Sequence, residues 1–209
     1  LLGLGAILLI ALEILPVYGD VFTALRYSSF QVSSIMSTTG YATADFDLWP
    51  AFSRILLLVL MLIGASAGST AGGIKMVRLL LMGKVTLREI RHTHSPRSVR
   101  VIKLDGKAVP EDTLSQVGIF MFVYFAFLMV GTLLASLDGH DFLSCFSAAA
   151  SCLSNIGPGL SLVGPMGNFS MFSPLVKLFM TFLMLAGRLE FFPMLVLFSP
   201  AVWRGARRG

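Results

Sequence analysis

The sequence predicts an all-α integral membrane fold in which a unit of helix, re-entrant pore loop and helix occurs twice. Three observations support this prediction: the composition, the length of the apolar runs and an internal repeat. Of the 209 residues, 56% are hydrophobic and 13% are charged, whereas about a quarter of the residues in a soluble domain are charged. Long apolar runs in such a chain must lie in lipid or against other buried helices.

Four apolar segments are candidates for membrane helices. The first contains Glu13 and is expected to end near Pro16. The third has about the length that a bilayer requires, whereas the second and the fourth are interrupted, at residues 64–73 and 187–190. In chain order the segments are residues 1–18, 51–82, 114–137 and 170–202.

The mixed segments between these runs contain an internal repeat. Residues 34–41, Ser-Ile-Met-Ser-Thr-Thr-Gly-Tyr, align with residues 151–158, Ser-Cys-Leu-Ser-Asn-Ile-Gly-Pro, at a constant offset of 117. Two serines and one glycine are identical, and the flanking apolar runs also correspond. We therefore divide the chain into a first repeat (1–82), a basic linker (83–113) and a second repeat (114–209).

Basic residues are concentrated in the linker and near the C-terminus. Seven lie in the linker and three near the end: Lys84, Arg88, Arg91, Arg97, Arg100, Lys103, Lys107, Arg204, Arg207 and Arg208. Short loops rich in lysine and arginine stay on the cytoplasmic side of a membrane. Nucleic-acid binding is the alternative explanation for such a run, and we reject it because the run connects two hydrophobic spans.

If both basic segments are cytoplasmic, the chain between them crosses the membrane twice. Residues 138–169 must then enter from the outside and return to it, as a pore loop does. Non-helical backbone at this depth is tolerated only where it is buried in protein or lines a water-filled cavity.

The two outer segments, residues 19–50 and 138–169, are acidic. Together they contain five aspartates and a single lysine or arginine: Asp20, Asp45, Asp47, Asp138, Asp141 and Arg26. The aspartates either concentrate cations at an outer mouth or cap helices, and the sequence leaves both explanations open.

The aligned loops have the pattern of a potassium filter. A dehydrated K⁺ ion needs a ring of oxygens, which the backbone carbonyls of an extended loop supply, and glycine permits the required backbone angles. Helices over roughly residues 21–37 and 140–153 would point their partially negative C-terminal ends at the ion. The predicted filter residues are Thr38, Thr39, Gly40, Tyr41, Asn155, Ile156, Gly157 and Pro158, and potassium would bind at Thr38, Thr39, Gly40, Asn155, Ile156 and Gly157. A surface turn would also explain Thr-Thr-Gly-Tyr taken alone.

The glycine-rich break, residues 64–73, allows several interpretations. Its G-x-S-x-G pattern around Ser66 is that of a serine nucleophile, but the three histidines are predicted elsewhere, in the linker and the outer segment. A phosphate-binding loop is rejected because Met76 stands where serine or threonine belongs. Glycines spaced four apart also favour a helix-packing face. We prefer an unwound intramembrane segment under the filter, in which Ser66, Ser69 and Thr70 satisfy the freed backbone groups.

Two ionisable residues, Arg188 and Glu190, interrupt the last apolar run. Such groups are costly in a membrane and usually face the bundle interior or water. Arg188 is therefore expected either in the permeation path, as a positive barrier below the filter, or in a structural ion pair.

Four motifs make the sequence similar to the Trk/Ktr/HKT superfamily, and most of all to its bacterial TrkH/TrkG branch. They occur in the family's order: Ser-Thr-Thr-Gly-Tyr at 37–41, Gly-Ser-Thr-Ala-Gly-Gly-Ile-Lys at 68–75, Ser-Asn-Ile-Gly-Pro-Gly at 154–159 and Gly-Arg-Leu-Glu at 187–190. The resemblance implies potassium uptake across the bacterial inner membrane by a multi-pass protein that is not an enzyme. K⁺ would be the transported ion, and no covalently bound cofactor is expected.

The resemblance also implies an architecture and partners. Four repeats surround one K⁺ pathway in this family, so residues 1–82 would be the third and 114–209 the fourth, with one filter glycine in each. The gate would comprise Gly64, Gly68, Ser69, Thr70, Gly72, Gly73 and Arg188. The partners would be the lipid bilayer, a second copy of the subunit and a cytosolic nucleotide-binding ring of the TrkA type, with no nucleic acid. Because the sequence holds two of the four loops, either the first half is missing or two chains combine, and we expect a truncated C-terminal half.

Two other functions are weighed against potassium uptake. In a non-conducting membrane scaffold the glycines would serve packing only, and Rb⁺ uptake would discriminate this alternative. An intramembrane hydrolase acting through Ser66 lacks a plausible histidine base, and labelling with a fluorophosphonate would test it.

Overall fold

The computed structural model describes residues 2–64, 72–94, 101–104 and 106–189. Within these ranges the chain forms seven α-helices and one small hairpin. The helices are α1 (Leu2–Tyr18), α2 (Val21–Met36), α3 (Ala51–Leu62), α4 (Met76–His94), α5 (Glu111–Ser136), α6 (Phe142–Ser154) and α7 (Pro174–Leu189). The antiparallel strands are β1 (Lys103–Leu104) and β2 (Lys107–Ala108). The predicted all-helical fold is confirmed apart from this hairpin, in which Gly106, just before β2, has a φ of +80°.

The first three helices enclose one apolar core. Its buried side chains come from all three helices, from the connection between α2 and α3 and from the loop after α6, and include Ile10, Val32, Ile35, Phe46 and Leu57. Polar groups close this core at two points: Trp49 Nε1 donates to the Tyr18 hydroxyl at 3.1 Å, and Ser53 donates to the Glu13 carboxylate. Glu13, which interrupts the first apolar run, therefore has a polar partner inside the bundle, as a membrane carboxylate requires.

Helix α1 continues through Pro16 to Tyr18, so the predicted end near Pro16 is slightly early. Proline lacks an N–H and therefore costs the helix one hydrogen bond, but only one turn remains to be formed. The helix ends where Gly19 adopts a φ of +70° and donates its N–H to the Leu15 carbonyl at 2.8 Å. A glycine in this conformation is a common C-terminal cap.

Helix α6 is packed between α5 and α7. Ten of its 13 residues are buried, and nine of those ten are alanine, serine or cysteine, small side chains that let neighbouring membrane helices approach closely. Gly131 of α5 lies at such an approach, because an added Cβ would be 2.6 Å from Leu183 Cδ1 of α7 and 3.2 Å from Ala149 Cβ of α6. The loop that follows α6 is thus carried by a densely packed helix.

Helix α4 extends to His94, well into the segment that the sequence predicts to be a linker. In the sequence, Pro96, Gly106 and Pro110 argue against a continuous helix through residues 83–113, but all three lie beyond the end of α4. Arg78 of α4 joins α5 by placing its guanidinium carbon 3.8 Å from the centroid of the Phe120 ring. Near the hairpin the two helices share a small apolar cluster of Leu81, Ile102, Leu114 and Val117.

Among the described residues, α5 is the one helix that is both long and apolar enough to cross a membrane, by length and composition. Helices α1, α3 and α6 are apolar but shorter, with 17, 12 and 13 residues. The predicted second span is divided between α3 and α4 around the glycine-rich break. The re-entrant course of the outer segments and the division into two repeats stay predictions.

Candidate functional site

The loops that follow α2 and α6 have closely similar backbones. Thr38 and Asn155, which align at the offset of 117 residues, both adopt the left-handed conformation, with φ of 56° and 57°. Gly40 and Gly157 also align and also have positive φ, 79° and 112°. Because positive φ is uncommon for residues other than glycine, its presence at an aligned threonine and asparagine indicates the same loop structure.

Backbone hydrogen bonds repeat in the two loops. In each, the left-handed residue donates its N–H to the carbonyl three residues earlier, and the next residue donates to the carbonyl five residues earlier. The bonds are Thr38 to Ile35 (3.1 Å), Asn155 to Cys152 (3.2 Å), Thr39 to Ser34 (2.9 Å) and Ile156 to Ser151 (3.0 Å). They satisfy carbonyls in the last turn of each helix and fix the direction in which the chain leaves it.

An aligned serine ties the far side of each loop to its helix. Ser34 Oγ donates to the Tyr41 carbonyl at 2.6 Å, whereas Ser151 Oγ accepts from the Gly157 N–H at 3.0 Å. The aligned pair Ser34 and Ser151 therefore holds each loop against the helix that precedes it.

The two loops meet at Gly40. An added Cβ on Gly40 would overlap the Ile156 carbonyl oxygen and would lie 3.2 Å from Pro158 Cδ. Around an added Cβ on Gly157, by contrast, no atom of the described residues lies within 4 Å. Three predicted filter residues are thus brought together, and Gly157 borders open space.

Aspartates begin both of the helices that lead into the loops. Asp20 accepts from the Thr23 N–H at 3.0 Å and the Thr23 hydroxyl at 2.7 Å. Asp141 accepts from the Ser144 N–H at 3.1 Å and the Ser144 hydroxyl at 2.6 Å. These hydrogen bonds lower the pKa of each carboxyl, and the bond from the hydroxyl has the largest effect. A carboxylate stabilises a helix at this end, opposite to the partially negative end that meets the loop.

Asp47, in the first outer segment, contacts the second outer segment at Gly164. Its Oδ2 is so close to Gly164 that an added Cβ there would lie 2.5 Å away. Burial raises the pKa of Asp47 and is the main cause of the shift, while the backbone of Ser161 acts in the opposite direction. Its Oδ1 is buried without a hydrogen-bond partner among the described residues.

The remaining outer aspartates also have structural contacts. Asp45 caps the short 3-10 turn Phe46–Leu48, and Asp138 accepts from the Ser173 N–H at 2.7 Å, just before α7 begins. The capping explanation therefore holds for Asp20, Asp45 and Asp141. Their charge nevertheless remains at the predicted outer mouth.

The ends of the glycine-rich break are bonded to each other and form a neck, residues 62–64 and 72–74. Gly64 donates its N–H to the Ile74 carbonyl at 2.9 Å, and Ile74 donates to the Leu62 carbonyl at 3.0 Å. The predicted gate residues Gly68, Ser69 and Thr70, together with Ser66, lie outside the described residues.

The neck packs on the C-terminal end of α6. An added Cβ on Gly72 would overlap the Ser154 carbonyl oxygen, and one on Gly73, which has a φ of +76°, would lie 3.3 Å from Ser154 Oγ. Ser154 Oγ in turn forms a buried hydrogen bond of 2.9 Å with the Tyr124 hydroxyl. Two predicted gate glycines therefore contact the residue that directly precedes the second filter segment.

Helix α7 also packs on the C-terminal end of α6. An added Cβ on Gly187 would overlap the Leu153 carbonyl oxygen, and Asn155 Nδ2 donates to the Met184 carbonyl at 3.0 Å. Arg188 follows in the last turn of α7 and is exposed, and Glu190 lies outside the described residues. Packing against α6 accounts for the glycine of the Gly-Arg-Leu-Glu motif, and both explanations for Arg188 stay predictions.

Two groups that support the second loop, the Tyr124 hydroxyl and the Met184 carbonyl, are not among the residues predicted from the sequence. Tyr124 is a single tyrosine in a helix rich in phenylalanine, and a buried tyrosine hydroxyl usually has a hydrogen-bond partner. That pattern could have identified it. The Met184 carbonyl has no sequence signal, because every residue supplies the same group.

Backbone carbonyls are the candidate ion ligands. In the described part of the chain, no group of three or more His, Cys, Asp or Glu side chains is placed to hold a metal ion. The predicted potassium sites depend on the carbonyls of the two loops, which suit a weakly held, dehydrated monovalent cation.

Known proteins identify the family. A sequence profile described as "TrkH: Cation transport protein" matches residues 19–204. The Trk system potassium uptake protein TrkH of Salmonella typhimurium is 39% identical over 188 residues, which cover 90% of this chain and 38% of that protein. The Trk system potassium uptake protein TrkG of Escherichia coli K12 is 32% identical over 206 residues, which cover 98% and 42%.

A solved structure agrees with these relatives. The crystal structure of the potassium transporter TrkH from Vibrio parahaemolyticus matches with a TM-score of 0.87 at 36% identity, covering 97% of this chain and 43% of that chain. The chain spans about two fifths of the length of these relatives. It belongs to the TrkH family of cation transport proteins.

Proposed function

We propose that this chain contributes two carbonyl-lined filter segments, residues 38–41 and 155–158, to a pathway for potassium uptake. As a member of the TrkH family, the chain is a multi-pass protein of the bacterial inner membrane and a transport protein rather than an enzyme. The observation that carries the proposal is the matched backbone of the two loops. Both have positive φ at aligned positions and repeat the same hydrogen bonds.

The chemistry follows from the ends of α2 and α6. Each helix places its partially negative C-terminal end before a filter segment, and each segment leaves the helix through a left-handed residue. Carbonyls of the segments would replace the water shell of K⁺. The contact between Gly40 and Ile156 supports the proposal that the two segments line one pathway.

We assign the gate to the glycine-rich break. The observation that supports this assignment is the neck, in which Gly72 and Gly73 pack on Ser154 beside the second filter segment. The neck would thus give the gate a fixed base close to the ion path. Arg188, next to Gly187 on α7, would act on the same region as a positive barrier.

The complete assembly is also part of the proposal. The chain supplies two filter segments, and the family resemblance implies four around one axis. A second copy of the subunit and a cytosolic nucleotide-binding ring of the TrkA type are the proposed protein partners.

Substitution of Gly40 by serine tests the filter in the full-length protein that contains this sequence. Gly40→Ser should lower the preference for K⁺ over Na⁺ by roughly tenfold, because strain of about 1–3 kcal/mol is added within the ion path. The measurement is the permeability ratio in proteoliposomes, together with Rb⁺ uptake.

Gly139→Ser is the matched control, because Gly139 has a φ of +78° and no described atom within 4 Å of an added Cβ. It should leave the ratio unchanged. An unchanged ratio in Gly40→Ser would remove the filter assignment. Absence of Rb⁺ uptake by the unmodified protein would favour the non-conducting scaffold.

A further inference from the structure

A cavity of about 480 Å³ lies between α4 and the hairpin, away from the filter loops. Its wall combines basic and apolar side chains from the two elements and the residues just before β1. The lining residues are Lys84, Leu87, Arg88, Arg91, Val101, Ile102 and Lys103. Neither the filter nor the gate uses any of them.

The basic side chains of the wall differ in whether an acidic partner within the protein compensates their charge. Arg88 is bonded to Glu111 at 2.5 Å and to Glu89 at 3.3 Å, so its charge is largely compensated. Lys84 Nζ donates to the Lys103 carbonyl at 2.7 Å, which leaves its charge uncompensated. Within the described ranges, Arg91 and Lys103 have no carboxylate partner. The wall therefore carries about three uncompensated positive charges and fits an anion.

The apolar part of the wall argues for an anion attached to a hydrocarbon. Leu87 is 53% exposed and Val101 is 57% exposed, on opposite sides of the cavity. A free inorganic anion gains nothing from these two side chains, whereas burial of apolar ligand surface against them is favourable. Ile102 anchors this side of the cavity in the apolar cluster shared by α4 and α5.

The cavity lies where the chain enters the membrane. The bond from Arg88 to Glu111 fixes it at the first residue of α5, the helix that is long and apolar enough to span a bilayer. The concentration of lysine and arginine assigns this end to the cytoplasmic side. The cytoplasmic leaflet holds anionic lipids, and basic pockets at this level bind their head groups.

We propose that this cavity binds the head group of one anionic phospholipid. The lipid phosphate lies among Lys84, Arg91 and Lys103, and the glycerol and the first acyl carbons contact Leu87 and Val101. The lipid would connect α4, which continues from the gate neck, to the hairpin that precedes α5. This site depends on the membrane location of the chain and not on the potassium pathway.

Native mass spectrometry of the full-length protein tests the site. The protein, in a mild detergent, is titrated with phosphatidylglycerol and with phosphatidylcholine of the same acyl chains. Arg91→Gln combined with Lys103→Gln should weaken phosphatidylglycerol binding by about 25-fold, since each basic residue near an anionic surface contributes roughly a fivefold factor. Lys107→Gln is the matched control, because Lys107 is on the same hairpin but does not line the cavity, and it should change binding less than about twofold.

The apolar wall has its own pair of variants. Leu87→Ser should weaken phosphatidylglycerol binding several-fold, whereas Ile90→Ser should not, because Ile90 is 61% exposed on the same helix but outside the cavity. Thermal unfolding of each variant should match the parent, since all these side chains are on the surface.

Four outcomes would overturn the proposal. Equal binding of the two lipids would exclude head-group charge, and an equal loss in Lys107→Gln would indicate diffuse attraction instead of a site. Competition by inorganic phosphate at the lipid's own concentration would point to a free anion. Tighter capture of an acidic peptide such as poly-glutamate, lost in the same double variant, would assign the cavity to an acidic protein segment instead.

Discussion

The two filter loops share a backbone but differ in what surrounds them. The first loop is held mainly by its own residues: Ser37 and Thr39 hydroxyls lie 2.8 Å apart, and Tyr41 is 74% exposed. The second loop is held by other elements. Ser154 bonds to Tyr124 of α5, Asn155 bonds to Met184 of α7, and the gate neck packs against it.

The comparison separates what sets the conformation of a loop from what sets its position. Matching φ values at Thr38 and Asn155, with an aligned serine in each loop, show that local residues determine the conformation. The supports of the second loop determine its position and link it to the neck. Changes in those supports should therefore affect the second loop and its coupling to the gate, and leave the first loop intact.

The largest difference is expected between alanine substitutions at the two loop glycines. Gly40→Ala adds the strain of a left-handed residue and an overlap with the Ile156 carbonyl, together about 2–5 kcal/mol. Gly157→Ala adds only the strain of a φ of +112°, about 1–3 kcal/mol, because space beside it is open. The thermal midpoint of the purified full-length protein measures both. A larger loss at Gly157 than at Gly40 would contradict the observed contact between the loops.

Gly187→Ala is expected to have the next largest effect. The added methyl group would overlap the Leu153 carbonyl at the end of α6, and such overpacking costs about 1–3 kcal/mol. Gly118→Ala is the control, since Gly118 is also helical but has no described atom within 4 Å of an added Cβ, and alanine favours the helix by up to about 1 kcal/mol. If both substitutions gave the same thermal midpoint, close packing of α7 on α6 would be refuted.

Loss of the Tyr124 hydroxyl should have an effect no larger than that of Gly187→Ala. Tyr124→Phe removes the bond to Ser154 and leaves one buried hydroxyl without its partner, which costs about 1–3 kcal/mol. Ser154→Ala should cost a similar amount, and the double variant should cost less than the sum, because the two hydroxyls share one bond. Additive losses in denaturation experiments would show that the bond does not form.

The smallest effects concern two outer aspartates, which should respond to pH in opposite directions. The pKa of Asp47 is raised by burial, so its contribution to stability falls as the pH rises from 3.8 through its folded-state value. Asp47→Asn should therefore be at least as stable as the parent at neutral pH. The difference should vanish well below pH 3.8, where the aspartate is protonated in both states.

Asp141 has a pKa lowered by Ser144, so its contribution is present above 3.8 and is lost as the pH falls through its folded-state value. Asp141→Asn should be slightly less stable than the parent at neutral pH, and the deficit should disappear in acid. Thermal midpoints measured at both pH values check the two variants together. Deficits of the same sign in both variants at neutral pH would contradict the different environments of the two carboxyls.

Local patterns explain which features the sequence could predict. The serines and glycines of the loops act on their own backbone, so a short alignment was enough to match residues 34–41 with 151–158. The contacts of Gly187 with Leu153 and of Tyr124 with Ser154 join residues about 30 positions apart. They depend on how α5, α6 and α7 pack together, which no local pattern encodes. The length of α4 was not predicted because the helix-breaking residues of the linker, Pro96, Gly106 and Pro110, all follow the end of this helix at His94.

The most direct test of a single ion path lined by both loops is the location of bound Rb⁺ in the full-length protein. Anomalous scattering from crystals grown in Rb⁺ would reveal the ion. The account predicts density in contact with carbonyls of both segments, from Thr38 to Gly40 and from Asn155 to Gly157. Density that touches one loop only, or none at either loop while Rb⁺ is bound elsewhere, would contradict it.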